Sequence, residues 1–347
     1  MKLSESPRVR MAALPTPLQF LTNLSQRLGG PRIWVKRDDL TGVAFGGNKA
    51  RKLEYILGDA KAQGAKALVT GAGFHSNWCT QTAAAARKLG MEVYLVKTAP
   101  RDGFDMPWDG NHLLHHLVGA HVETVEPQRF QEALEATVKR LEEEGLKPYF
   151  IPVGGSNHVG ARAYVNCVLE LQYQADQLGV HFKSLYHATG SGGTQAGLVA
   201  GVKALNTGTQ VVGAAVGWVE KDQQVEKVRR IVEATKEDLG LEFQLGEGDI
   251  QVFNEYVGGG YGHLTPAKLE AVKILAETEG IMLDPVYTAT AMACLIDHIR
   301  KGVYTKEDNV VFLHTGGAVA LFPYREPLEA YLRGEPIPWS KPPWSPN

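Results

Sequence analysis

The sequence has few of the features that mark secreted or membrane proteins. Its three cysteines are an odd number and lie far apart in 347 residues, so we expect free thiols in a reducing compartment. No apolar run approaches the ~20 residues that a membrane-spanning helix needs. Residues 1–15 contain no apolar segment of the kind found in secretory signals. We therefore expect a cytoplasmic protein without a membrane partner.

Charge and histidine spacing give no sign of nucleic acid or a bound metal. The chain has 36 basic and 38 acidic side chains, hence a net charge of −2, and they form no obvious basic stripe. Nucleic-acid partners are therefore not expected. His112, His115 and His116 lie close together in sequence but lack the HExxH spacing of a zinc site, so we predict no metal.

Strand-like and helical segments alternate along the chain, which predicts an α/β fold with doubly wound, mainly parallel sheets. The second half of the chain restarts the alternation, so two entwined lobes are expected rather than two domains in series. Near the start, Leu18 to Leu21 is predicted to open a short helix that ends near Gly29. Residues 103–110 and the tail from Pro336 are predicted to be irregular.

The predicted elements beyond that first helix are short apolar strands and helices that mostly run for 10–20 residues. The strands are predicted at 33–36, 67–70, 92–96, 121–125, 148–152, 184–188, 210–217 and 309–314. The helices are predicted at 48–64, 80–89, 111–118, 127–144, 160–178, 195–205, 223–239, 265–279 and 290–301.

One lysine occupies an unusual position early in the chain. Gly46 and Gly47 allow positive φ angles and a close approach of the backbone to a ligand. They precede a predicted helix, which Asn48 would cap. Lys49 then lies in the first turn, where the helix end is already positive, so we infer a role beyond solvation. A P-loop is excluded because Asn48 separates Gly47 from the lysine and alanine replaces the hydroxyl residue.

Three loops, at 71–77, 189–194 and 315–318, join the end of a predicted strand to a helix. Ligands of open α/β sheets bind at this edge. The second loop contains consecutive glycine and hydroxyl residues that can direct backbone N–H groups at a phosphate. These residues are Ser191, Gly192, Gly193 and Thr194. The loop lacks the GxGxxG spacing of a dinucleotide site. With Lys49 and no metal, it favours pyridoxal phosphate held on the lysine.

Five ordered motifs cover nearly the whole chain: FGGNKARKLE, GFHSN, ATGSGGTQAG, LDPVYT and HTGGAVALFPY. Together they resemble the family of D-cysteine desulfhydrase and 1-aminocyclopropane-1-carboxylate (ACC) deaminase. The resemblance implies a pyridoxal 5'-phosphate enzyme of fold type II, similar to the tryptophan synthase β subunit, that forms a homodimer. It predicts a larger cofactor-binding domain over 1–50 and 160–347 and a smaller α/β domain over 51–159.

The resemblance assigns cofactor contacts to several residues. Lys49 matches the lysine that forms the Schiff base, and Lys52, one turn further on, matches a phosphate contact. Asn77 matches the residue beside the phenolic oxygen of the cofactor. The loop from Ser191 to Thr194 matches the phosphate loop.

Catalytic residues follow from the same resemblance. Substrate displaces Lys49, whose freed amine can then act as a base. Ser76 matches a serine at the substrate carboxylate and the catalytic centre. Tyr261 and Tyr287 match tyrosines that flank the cofactor and substrate; without the resemblance, either would be interpreted as an ordinary core residue.

Four residues bear on the choice of substrate. ACC deaminases are expected to have glutamate after the DPVY tyrosine and leucine in the HxGGA motif, where this chain has Thr288 and Thr315. Both hydroxyls resemble the desulfhydrase branch, in which neutral groups lie near the pyridine nitrogen. The chain also has His75 and Trp78 around the Ser-Asn pair, where glutamine and histidine are expected. His75 is a candidate substrate contact or proton carrier, although both side chains could equally pack away from the loop.

These observations predict α,β-elimination from a small β-substituted amino acid. D-cysteine would give pyruvate, ammonia and sulfide, and L-cysteate is the alternative substrate, with sulfite as product. ACC deamination, amino-acid racemisation and a non-catalytic pyridoxal phosphate-binding protein are the remaining alternatives.

Overall fold

The computed structural model describes residues 2–99, 108–217 and 219–337. Its strands are β1 Leu18–Phe20, β2 Arg32–Lys36, β3 Ala67–Gly73, β4 Glu92–Thr98, β5 His121–Val125, β6 Pro148–Phe150, β7 Ser184–Thr189, β8 Gln210–Ala215, β9 Gln251–Phe253 and β10 Asn309–Leu313. Its helices are α1 Thr22–Leu28, α2 Asn48–Ala62, α3 Asn77–Lys88, α4 Gly110–Leu117, α5 Phe130–Glu143, α6 His158–Leu178, α7 Gly193–Ala204, α8 Lys221–Leu239, α9 Pro266–Glu279, α10 Thr288–Arg300 and α11 Arg325–Arg333.

The strands form two sheets. One has six strands in the order β1-β2-β10-β7-β8-β9, and only the β1–β2 pair is antiparallel. The other has four parallel strands in the order β5-β4-β3-β6. The predicted α/β fold with mainly parallel sheets is therefore confirmed. The four-stranded sheet lies within the range predicted as the smaller domain, while the domain boundaries themselves stay a prediction.

The structure corrects the prediction for the first segment. Leu18–Phe20 is a strand, not the start of a helix, and the helix begins only at Thr22. The strand pairs antiparallel with β2, and the ring of Phe20 packs 5.2 Å from that of Trp34 across the pair. Such cross-strand contacts outweigh the local preference that favoured a helix. The short strand β9 was also missed. Residues 103–107 and the tail from 338 lie outside the described residues.

A buried group of charges joins β2, α2 and α6 behind the start of α2. Arg51 Nη2 lies 2.8 Å from Asp38 Oδ1, and Arg51 Nη1 lies 2.8 Å from Glu170 Oε2. Lys36 Nζ lies 2.5 Å from the other oxygen of Glu170. Two positive and two negative charges thus compensate one another, as buried charges require. The network holds the first turns of α2 against the six-stranded sheet.

Close helix packing sets the position of the phosphate-loop helix. Gly197 on α7 faces α6, where a Cβ atom would lie 2.3 Å from the carbonyl oxygen of Ala161. At Gly201 a Cβ would lie 2.7 Å from Val168. Glycine is required at this crossing because no side chain fits. Within the described residues, no helix combines the length and apolar character needed to span a membrane.

Candidate active site

The three loops singled out in the sequence meet at one cavity of about 1220 Å³. Its walls include Gly73 at the end of β3, Thr189 at the end of β7 and Thr315 just after β10. Strands of both sheets therefore direct their carboxyl ends toward the same space. This is the edge at which α/β proteins bind ligands.

Lys49 lines this cavity from the first turn of α2. The N-cap is Gly47, at a φ of 131°, so the prediction that Asn48 caps the helix is wrong. The Asn48 side chain instead donates to Thr194 Oγ1 at 3.0 Å and accepts from Lys49 Nζ at 2.9 Å. It joins the lysine to the phosphate loop.

The electrostatic environment makes Lys49 a better nucleophile than an ordinary lysine. Loss of water around the amine lowers the pKa of Lys49 from 10.5 to about 8, although the negative charge of Asp284 raises it in part. A substantial fraction of the amine is therefore neutral near physiological pH. A neutral, desolvated lysine is the form that attacks a carbonyl group.

The second loop and Lys52 form a cradle suited to a phosphate. Gly192, at a φ of 90°, precedes the start of α7, and a Cβ on Gly193 would lie 2.7 Å from Ser156 Cα and 3.0 Å from Lys52 Nζ. Lys52 is buried and donates to the carbonyl of Gly154 at 3.1 Å. Burial and then the charge of Lys49 lower the pKa of Lys52 well below 10.5, so a nearby anion would favour the charged amine. These residues fit a bound phosphate.

Sequence reasoning missed Ser156, which completes this cradle. Its Oγ lies 2.6 Å from Ser191 Oγ and accepts from Gly193 N at 3.2 Å. The signal was present, since Gly154-Gly155-Ser156 is another glycine-rich turn between a strand and a helix. Ser191, Gly192 and Thr194 line the cavity, while Gly193 and Lys52 lie just behind its wall.

Ser76 and Asn77 reach the cavity from the start of α3. Ser76 is the N-cap, and its Oγ accepts a hydrogen bond from Cys79 N at 3.2 Å. Because the backbone uses an acceptor position, the hydroxyl proton can still donate to a ligand. The Asn77 amide lies against Gly47: a Cβ on that glycine would be 3.1 Å from Asn77 Nδ2. The turn thus faces the backbone that leads into Lys49.

The two predicted tyrosines lie together in the cavity wall. The hydroxyls of Tyr261 and Tyr287 are 2.7 Å apart, and their rings meet edge to face at 5.9 Å. The surrounding protein, which displaces water, raises the pKa of Tyr261 to about 12 and that of Tyr287 well above 10. Both therefore stay protonated near neutral pH. One hydroxyl donates the hydrogen bond between the two tyrosines, and the other hydroxyl can donate to a ligand.

The substrate-selecting residues are placed differently from one another. Thr315 lines the cavity, and none of the described residues bonds to its hydroxyl. Thr288 does not line it: its hydroxyl donates to Asp284 Oδ2 at 2.6 Å and accepts from Asp284 N at 2.7 Å. The structure thus leaves the Thr288 hydroxyl away from the predicted cofactor contact.

His75 and Trp78 differ in the same way. Trp78 lines the cavity and donates from Nε1 to Thr70 Oγ1 at 2.9 Å. The His75 ring does not line it and packs 4.4 Å from the ring of Phe74. Burial, followed by the charge of Lys97, lowers the pKa of His75 to about 3. A proton carrier near neutral pH would need a far higher value.

Asp284 is another residue that sequence reasoning missed. Its Oδ1 accepts from the backbone N–H groups of Val286 and Tyr287, at 2.9 and 2.7 Å. Its Oδ2 accepts from the N–H and the hydroxyl of Thr288. The carboxylate thereby fixes the turn that carries Tyr287. Its position at the start of LDPVYT, before a helix, is typical of residues that bond to nearby backbone N–H groups.

Comparison with known proteins identifies the class. A model of the family described as pyridoxal-phosphate dependent enzyme matches residues 9–316. The chain therefore belongs to the pyridoxal-phosphate dependent enzymes, and the predicted enzyme, cofactor and fold type are confirmed. Among the described residues, no group of three or more His, Cys, Asp or Glu side chains is placed to hold a metal ion.

Individual relatives narrow the comparison. A D-cysteine desulfhydrase of Serratia proteamaculans is 41% identical over 326 residues, which cover 93% of this chain and 97% of the relative. A Pyrococcus furiosus protein whose name refers to ACC deaminase is 40% identical over 95% of this chain and 98% of that protein. A solved structure titled as an ACC deaminase homologue has a TM-score of 0.86 at 36% identity, covering 94% of this chain and 97% of that one. The resemblance drawn from the five motifs is confirmed.

The lowered pKa of Lys49 predicts how the cofactor-free chain takes up pyridoxal phosphate. Covalent attachment requires the neutral amine, so the rate should rise with pH to a plateau, with its midpoint near 8 and not near 10.5. The change in visible absorbance after mixing measures it. Because Asp284 raises this pKa, Asp284→Asn should move the midpoint to lower pH. A wild-type midpoint near 10 would contradict the assigned environment of the amine.

Proposed function

We propose that the protein catalyses α,β-elimination from D-cysteine, giving pyruvate, ammonia and hydrogen sulfide with consumption of one water. The observation that carries the proposal is the convergence of Lys49, Ser76 and the Tyr261–Tyr287 pair on one cavity that also has a phosphate cradle. The D-cysteine desulfhydrase that is 41% identical over nearly the whole chain supports the choice of substrate.

Each of these groups has a distinct task. When bound, pyridoxal phosphate supplies an electron sink for the electron pair left at the α-carbon. Lys49 Nζ, with its lowered pKa, takes the α-proton. The Ser76 hydroxyl and the start of α3 bind the substrate carboxylate, since helix N-termini favour anions. The protonated tyrosine pair donates a hydrogen bond toward the departing sulfur.

Two residues support elimination over ring opening of ACC: Thr288, which stands where ACC deaminases are expected to have glutamate, and Thr315. A carboxylate beside the pyridine nitrogen would keep it protonated and strengthen the electron sink, which helps to open a cyclopropane. A neutral hydroxyl suffices when sulfide leaves from the β-carbon. In the structure, the Thr315 hydroxyl is available at the cavity, whereas that of Thr288 is held by Asp284. We therefore assign the contact with the pyridine nitrogen to Thr315 alone.

A panel of substrates tests this proposal. The purified holoenzyme is offered D-cysteine, L-cysteine, L-cysteate, D-serine and ACC, and pyruvate, 2-oxobutanoate, sulfide and sulfite are measured. We expect equal amounts of pyruvate and sulfide from D-cysteine, at the highest kcat/KM of the panel. If L-cysteate gave sulfite at a higher kcat/KM than D-cysteine, L-cysteate would be the substrate. If ACC gave 2-oxobutanoate, ACC would be the substrate. No keto acid from any member would point to racemisation or binding alone.

The homodimer implied by the family resemblance and the cytoplasmic location expected from the sequence stay predictions. Cys79, Cys167 and Cys294 are buried free thiols in the structure, which is compatible with a reducing compartment.

A further inference from the structure

A buried polar surface of α4 lies against the turn that carries Ser76. Asn111, His112 and His115 are the buried residues of this helix. Asn111 Nδ2 donates to the carbonyl of His75 at 3.3 Å, and His115 Nε2 lies 3.1 Å from the carbonyl of Ser76. Helix α4 therefore bonds two successive carbonyls just before α3.

Asn111 is itself fixed by a third contact. Thr80, in the first turn of α3, donates its hydroxyl to Asn111 Oδ1 at 2.8 Å. An amide whose oxygen accepts must direct its NH₂ group to the other side, and that side faces the carbonyl of His75. The contact thus sets the orientation of the Asn111 amide: α3 donates to α4 through Thr80, and α4 donates to the turn that precedes α3.

The state of His115 follows from its partner. A carbonyl only accepts, so Nε2 must carry the proton. Burial, followed by the charge of Lys97, lowers the pKa of His115 to about 2, although the hydrogen bond to the Ser76 carbonyl raises it in part. The ring is therefore neutral, and its Nδ1 has no hydrogen-bond partner among the described residues. His115 acts as a fixed N–H donor at every working pH.

We propose that His115 and Asn111 are positioning residues for Ser76, holding the two carbonyls so that the Ser76 hydroxyl faces the cavity. The proposal rests on the role that the proposed function gives to Ser76. Neither side chain lines the cavity, so each acts through the backbone and does not touch the substrate.

The carbonyl of Ser76 shows why a lost contact would matter. It also accepts from Thr80 N at 3.2 Å as the first bond of α3, so losing His115 would not leave it unpaired. Helix α3 would still form. However, the peptide group between Ser76 and Asn77 would lose the hydrogen bond from His115 that fixes the tilt of its carbonyl. A displacement of about 1 Å in a reacting group can lower the rate about 100-fold.

A matched pair of substitutions isolates the donor. His115→Gln keeps an N–H donor at the place of Nε2, while His115→Met has similar length without a donor. With D-cysteine as substrate, we expect His115→Met to lower kcat/KM roughly 10- to 100-fold. His115→Gln should stay within about threefold of wild type. His116→Met is the control, because His116 stacks on Trp108 and has no contact with Ser76.

Two further measurements separate positioning from damage to the fold or the cofactor site. The visible absorbance of the holoenzyme should be equal in all four proteins. Hydrogen exchange of the peptide covering residues 74–82 should be faster in His115→Met and unchanged in His115→Gln and His116→Met. Equal kcat/KM in the Met and Gln variants, or wild-type kcat/KM in His115→Met, would overturn the proposal. If wild type makes no keto acid, the proposed function fails, and the exchange experiment still decides whether His115 holds the turn.

Discussion

Replacing Lys49 with alanine should abolish covalent retention of pyridoxal phosphate and lower turnover of D-cysteine by at least about 10²–10⁴-fold. This range is what the loss of a positioned general base alone costs. The amine lies in the first turn of α2, with a pKa lowered to about 8. Lys227 also lines the cavity, but its amine bonds to Gln224 on its own helix. Pyruvate formation and the visible absorbance of the purified protein measure both effects.

Borohydride reduction of the holoenzyme, followed by peptide mapping, tests the same assignment without a mutation. The label should be found on Lys49. Lys97 and Lys268 serve as internal controls, because burial lowers the pKa of each to about 8 as well, yet neither lines the cavity. A label on either of them would show that reactivity, and not the site, selects the lysine. Retention of labelling in Lys49→Ala would refute the assignment.

The positions of the loops were predictable from the sequence because parallel strands end at a common edge. Alternating strands and helices placed residues 71–77, 189–194 and 315–318 there, and all three contribute to one cavity. Element ends were less certain. The helix predicted from Thr80 begins at Asn77, because Ser76 caps it. The strand at Leu18–Phe20 depends on pairing with β2, which no local pattern shows.

The direction of individual side chains was harder to predict than the position of their loops. Tyr287 and Thr288 are neighbours in sequence, but successive residues at a helix start point about 100° apart. Tyr287 therefore lines the cavity while Thr288 bonds to Asp284. Ser76 and His75 are separated in the same way, since the backbone turns between them into α3. A motif match predicts which loop forms the site. The direction of each side chain in that loop depends on its local hydrogen bonds.

The contacts of α4 illustrate what long-range packing adds. Asn111 and His115 lie more than thirty positions after Ser76. In the sequence, His115 was noted only because the histidines lacked metal spacing, and position 111 only as the start of a predicted helix. Their proposed role depends on backbone carbonyls that the fold brings next to them. Because every residue has a backbone carbonyl, the sequence does not show which ones will be contacted. No residue pattern could have indicated this contact.

Ser76 combines two functions, and its substitutions should separate them. Ser76→Ala removes both the hydroxyl that faces the cavity and the cap that accepts from Cys79 N. We expect kcat/KM for D-cysteine to fall by about 10²–10³-fold, as when one positioned donor of an active site is removed. The free energy of unfolding should fall by only about 1 kcal/mol, the usual cost of a lost N-cap. Steady-state kinetics and urea unfolding measure the two effects.

Two matched variants decide whether capping or chemistry accounts for the loss. Ser76→Thr keeps a hydroxyl and a cap, so it should retain most of the stability and more activity than the alanine variant. Ser76→Asp is a good cap, but it adds a negative charge where the substrate carboxylate is expected. It should therefore recover the unfolding free energy while KM rises and activity stays low. If Ser76→Asp matched wild type in kcat/KM, Ser76 would only cap α3, and the substrate carboxylate would bind elsewhere in the cavity.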